Sequence, residues 1–134
     1  MRRLCLVMLV LGIAACRKSP EASYQPRDRE SPLTLYEDPV SHECRIDGAD
    51  VVRGFRNDQI KWPVSNHCSA QHTVGLVFTD IPGADHELEH DVPAGGKYSL
   101  HVKLDRMPGT YKYSLQVDHS TQIDPRLEID PYSK

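Results

Sequence analysis

Two sets of residues in this chain have the type and spacing to do chemistry. The first is His86-Glu87-Leu88-Glu89-His90, which reads H-E-x-x-H. On a helix, histidines at i and i+4 point one way and share a zinc ion, with the glutamate poised over its bound water for hydrolysis. The setting here opposes a helix. Pro82-Gly83 lies just upstream and Pro93 just downstream, and Leu88 and Val92 alternate with Glu87, Glu89 and Asp91. Such alternation marks a strand with one buried face. As a strand, His86 and His90 share a face but lie about 13 Å apart, too far for one ion. The second set is the remaining histidines, of which His72 shares parity with Val74 and Leu76, as a satisfied histidine at the rim of a core would. No metal ligand set is assigned; His72, His86 and His90 are the residues best placed to join one, and no cofactor is expected. No catalytic residue is assigned either. There is no G-x-S-x-G and no glycine-rich phosphate loop. Asp118, His119 and Ser120 are adjacent, which is turn composition, whereas triad residues converge from separate parts of a fold.

The N-terminus carries a different chemistry. Arg2 and Arg3 precede an apolar run, Leu4 to Ala15, that ends Ile13-Ala14-Ala15-Cys16. About twelve apolar residues are too few for a permanent span of a ~30 Å hydrocarbon core, but they suit an export signal. The segment resembles a bacterial lipoprotein signal with its cleavage box. The resemblance implies cleavage before Cys16, acylation of the Cys16 thiol (palmitate among the chains) and attachment to the membrane through those chains. Arg17, not aspartate, follows Cys16, which by the enterobacterial sorting rule favours the outer membrane, facing the periplasm. Cys5 falls within the signal. Cys44 and Cys68 therefore meet an oxidising compartment and lack a Cys-x-x-Cys spacing, so a structural disulfide is expected.

Removal of residues 1–15 from the 134 leaves 119, enough for one domain and a tether. Without Arg2 and Arg3 the chain has 14 basic residues against 19 acidic ones. No basic tract remains to follow phosphates, which argues against nucleic acid as a partner. Residues 16–32 hold the lipidated cysteine and then RKSPEASYQPRDRESP, too polar to offset ordering entropy, and read as a disordered tether. Residues 33–134 read as the domain. Val74, Leu76 and Phe78 alternate with polar or small residues; so do Tyr98, Leu100, Val102 and Leu104, then Tyr111, Tyr113, Leu115 and Val117, and finally Leu127 and Ile129. Pro82-Gly83, Pro93-Ala94-Gly95-Gly96 and Pro108-Gly109 are turns. About seven short strands in ~95 residues point to an all-β, Greek-key sandwich.

Three segments carry a further resemblance. Ile60-Lys61-Trp62 is followed by His72-Thr73-Val74, Val92-Pro93-Ala94-Gly95-Gly96 leads into Tyr98-Ser99-Leu100, and Pro108-Gly109-Thr110-Tyr111-Lys112-Tyr113 comes later. In order and spacing they resemble the cupredoxin family, the blue-copper sandwich. The resemblance implies the fold, and it puts His72 where the first copper histidine would fall. A blue-copper site also needs a second histidine, a thiolate and usually a thioether. After Tyr113 the chain reads Ser114-Leu115-Gln116-Val117-Asp118-His119, with no cysteine, and no methionine follows Met107. A hairpin in place of the copper loop is expected, which argues against electron transfer.

These readings lead to a lipid-anchored, non-catalytic protein that binds an envelope protein or other periplasmic partner. A copper- or zinc-binding lipoprotein is the alternative, and a zinc metallopeptidase on HELEH the remote one.

Overall fold

The computed structural model describes residues 24–78 and 87–131. The signal, Cys16 and His86 lie outside them. Among the described residues eleven strands follow in chain order: β1 (Asp28–Glu30), β2 (Leu33–Glu37), β3 (Cys44–Asp47), β4 (Val51–Phe55), β5 (Gln59–Asn66), β6 (His72–Phe78), β7 (Glu87–Val92), β8 (Lys97–Lys103), β9 (Gly109–Val117), β10 (Ser120–Ile123) and β11 (Arg126–Asp130). No helix occurs among the described residues. Among the strands beyond the expected seven, β7 is the one the alternation around HELEH had marked, β2 buries Leu33 and Leu35, and β1 and β10 are short, polar pieces that carry too little alternation to be read from sequence.

Two sheets result. In one, β5 is the spine. β8 runs antiparallel along one side, β1 and then β2 run parallel along the other, and β3 closes against β2. Pro63, which has no N–H to give, falls in the gap where pairing passes from β1 to β2. The second sheet has the order β4-β11-β9-β6-β7, with β10 folded back on β9. Period-2 patterning explains the stacking of the sheets. Ile60, Trp62 and Val64 on β5, Val74, Leu76 and Phe78 on β6, and Tyr113, Leu115 and Val117 on β9 are all buried between them. Each such side chain contributes roughly 1.5–3 kcal/mol on burial. Trp62 packs edge-on against Phe78 and Tyr113, which tilt against each other, with centroids 5.3 to 6.3 Å apart. Burial pushes the Tyr113 hydroxyl up to about 12. The Trp62 edge pulls slightly the other way, although its Nε1 makes no hydrogen bond of good geometry.

Residues 24–32 were expected to belong to a disordered tether, and the structure orders them instead. Residues 24–32 lie on the domain, because β1 pairs with β5 and the fully buried Asp58 carboxylate draws them in. Asp58 accepts from the Tyr24 hydroxyl, from the Arg27 and Phe55 N–H groups at 2.9 Å, and from Arg29 Nε at 2.5 Å. Arg29 also lies over the Phe55 ring, 5.2 Å from its centroid. A polar sequence is ordered here by one buried acceptor rather than by its own apolar surface.

Candidate metal centre

At one end of the sandwich, loops and strand ends converge on the Cys44–Cys68 disulfide. Cys44 opens β3, Cys68 lies in the loop between β5 and β6, and their Cα atoms are 5.9 Å apart. The buried Asn66 shapes that loop. Its Nδ2 donates to the Ala70 and Val92 carbonyls, both at 2.9 Å, and its Oδ1 accepts from the Cys68 N–H at 2.8 Å. Glu37, at the end of β2, accepts from the Ser69 N–H at 2.8 Å and from the Ser69 hydroxyl, contacts that lower its pKa. The turn before Cys44 is tied by Asp38, whose Oδ1 accepts from the Val40 and Ser41 N–H groups at 2.8 and 3.0 Å. That turn places His42 at φ 59°, in the left-handed region.

His72 begins β6 beside these residues. Its Nδ1 lies 2.6 Å from Asp118 Oδ2, while Asp118 Oδ1 accepts from the Thr73 N–H at 2.9 Å. Desolvation raises the Asp118 pKa, but the His72 and Thr73 hydrogen bonds outweigh it and hold the carboxyl below its ordinary value. An ionised carboxylate only accepts, so Nδ1 is the donor, and in the neutral imidazole Nε2 is the nitrogen with the lone pair. Asp118 and His119, at φ 50° and 66°, are the two central residues of the β9–β10 turn. Two left-handed residues match the type I′ hairpin turn. This is the hairpin expected in place of a copper loop.

Glu37, His42, Glu43, Cys44, His72 and Asp118 share a cleft of about 510 Å³. At its floor, one donor atom each from Cys44, from the buried Cys68 behind it and from His72 lie within 4.8 Å of one another. In the disulfide the two sulfurs are neutral, which leaves imidazole and carboxylate as the ligands this cleft offers.

The other histidines are placed elsewhere. His90 stacks on Tyr98, with ring centroids 3.4 Å apart, where β7 and β8 face each other at the side of the sandwich. His119 Nε2 lies 3.4 Å from Glu89 Oε1. Glu87 to His90 belong to strand β7, so HELEH lacks the helix that zinc hydrolysis requires. Sequence reasoning missed Glu37, His42 and the pairing of Asp118 with His72. The disulfide and the Cys68-x-x-x-His72 spacing could have pointed to the first grouping; the Asp118 contact needed the β6–β9 register, Val74 opposite Val117.

No family model matches the chain, and no curated protein matches it. Among solved structures it is similar to a multicopper oxidase, mgLAC, at 18% identity and TM-score 0.50 over 80% of this chain and 40% of that one. It is also similar to the copper nitrite reductase from Nitrosomonas europaea, at 16% identity and TM-score 0.53 over 78% of this chain and 42% of that one. The chain thus spans about two fifths of either neighbour. Its sequence reading as a non-catalytic protein is corrected by these neighbours, both copper enzymes, because the shared fold is one that carries enzyme chemistry. At such identities the likeness speaks to architecture alone, and the chain has a cupredoxin-like fold.

Proposed function

We propose that this chain is a lipid-anchored envelope protein that binds a copper ion in the His72 cleft. One observation carries the reading: His72 is oriented through Nδ1 by the Asp118 carboxylate. Metal-ligating histidines are commonly fixed in this way, with the second nitrogen left for the ion. His42, Glu37 and Glu43 on the same cleft supply further nitrogen and oxygen donors. Imidazole suits copper, and Cu(II) stands highest among the divalent first-row ions for such donors. The blue-copper ligand set does not fit this chain, since β9, its turn and β10 contain no cysteine or methionine. The bound ion would therefore be held by nitrogen and oxygen, unlike a blue-copper centre. Lipidation at Cys16 would hold the domain at the outer membrane.

Calorimetric titration of the oxidised, full-length protein with Cu(II) tests the site. One ion per chain is expected, with affinity reduced about a hundredfold in His72→Ala and about tenfold in Asp118→Asn. Equal affinity in wild type and His72→Ala would overturn the assignment. The anchor has its own test: Cys16→Ser should move the protein from the membrane fraction to the soluble one.

A further inference from the structure

We propose that the Cys44–Cys68 disulfide is a redox gate on this centre: reduction by a dithiol converts it into a two-thiolate, one-imidazole site for Cu(I). The inference extends the reading of His72 as a metal ligand and rests on it. Its basis is the position of both sulfurs and a His72 ring nitrogen within 4.8 Å of one another. Soft thiolates select Cu(I), and an imidazole can complete a three-coordinate set. A metal–sulfur bond is about 2.3 Å long, so two sulfurs on one ion can be at most about twice that far apart. Side-chain rotation alone can bring that about, because the backbone on each side is held independently of the S–S bond. Cys44 stays in the β2–β3 ladder opposite Glu37, and the Cys68 N–H stays on Asn66 Oδ1.

Access to the two sulfurs is unequal. Cys44 is half-buried and lines the cleft, whereas Cys68 is 3% exposed. The thiolate of the incoming dithiol therefore attacks Cys44 Sγ. The Cys44–Cys68 bond breaks and Cys68 Sγ leaves with the electron pair. The second thiol of the reductant then displaces Cys44 Sγ and closes its own disulfide. Two electrons and two protons pass to the protein, and the reductant leaves oxidised. Cu(I) afterwards replaces the two thiol protons. In the oxidised state the same residues present no thiolate, so Cu(I) would be held far more weakly until the disulfide opens.

The test uses the full-length protein in detergent, either oxidised or reduced with dithiothreitol and desalted under anaerobic conditions. Cu(I) is then partitioned against bicinchoninate. The reduced protein is expected to retain one Cu(I) per chain, about a hundredfold more tightly than the oxidised protein. Reduced His72→Ala and Cys44→Ser should each lose at least about tenfold, with circular dichroism reporting whether the sheet is retained. Equal Cu(I) retention in both redox states would overturn the gate, as would full retention by reduced His72→Ala or loss of the β spectrum on reduction. The Cu(II) titration of the oxidised protein separates the two ideas. If it succeeds while Cu(I) retention ignores redox state, the gate fails and the copper reading stands. If it fails while the reduced protein holds Cu(I), the nitrogen–oxygen site is lost and the thiolate site stands.

Discussion

At Asp58, four donors converge on a carboxylate that water does not reach. Burial alone would raise its pKa. The Tyr24 hydroxyl, the two backbone N–H groups and Arg29 outweigh that and bring it to about 2. A free aspartate titrates near 3.9. Because the folded pKa is the lower one, the stabilisation is complete above pH ~4 and is lost as pH falls through about 2. It amounts to about 2 kcal/mol at neutral pH. Asp58→Asn should remove this contribution, because an amide presents a donor where all four partners donate. Urea unfolding between pH 5 and pH 2.5 should show an acid loss in the wild type that is largely absent in the variant. An undiminished acid loss in the variant would place it on other carboxylates.

Among the elements, the β9–β10 hairpin has the most direct bearing on the centre. Its turn spends two non-glycine residues in the left-handed region, and only one of them has a structural use there. Asp118 aims its carboxylate at His72 and Thr73, whereas His119 pairs with Glu89 at the surface. An exposed pair of that kind contributes between nothing and about 1 kcal/mol. Glycine at 119 would relieve the backbone at φ 66°. His119→Gly should therefore be neutral to stabilising, by up to about 1 kcal/mol, and should leave copper affinity unchanged. Thermal unfolding and the Cu(II) titration check the two halves; a drop in affinity would make His119 a ligand.

For the whole molecule, the disulfide ties the start of β3, in one sheet, to the β5–β6 loop that crosses to the other, at the end that carries the centre. Its cysteines are 24 residues apart in sequence, and closing such a loop restricts the unfolded chain by roughly 3.5 kcal/mol in the loop-entropy model. The double variant Cys44→Ser, Cys68→Ser should lose about that much in urea unfolding and keep its sheets, because Cys68 is only one of nineteen buried residues, among those described, of a core that is otherwise aliphatic and aromatic, with Trp62, Tyr113 and Leu115 among them. A collapse of cooperativity would instead make the bridge part of the fold itself. The same substitution should leave Cu(II) binding to the imidazole–carboxylate cleft within about tenfold of wild type.

Alternation alone determined the buried faces of β6, β9 and β11, and it made HELEH a strand against the pull of its motif. Period-2 patterning is local, so it is legible wherever a strand is long and half-buried. The turn residues and the absence of any cysteine after Tyr113 likewise marked the hairpin that stands where a copper loop would be. Tertiary structure decided the rest. β1 is three polar residues long and is held by pairing with β5 and by Asp58, 28 to 30 positions on, which supplies a buried acceptor to the segment around it. His72 looked like an ordinary rim histidine until the β6–β9 register brought Asp118, 46 residues away, to its Nδ1. His42 and Glu37 reach the same cleft through the β2–β3 turn and the disulfide. Contacts between residues so far apart in the chain depend on strand register and sheet packing, and local composition carries no record of either.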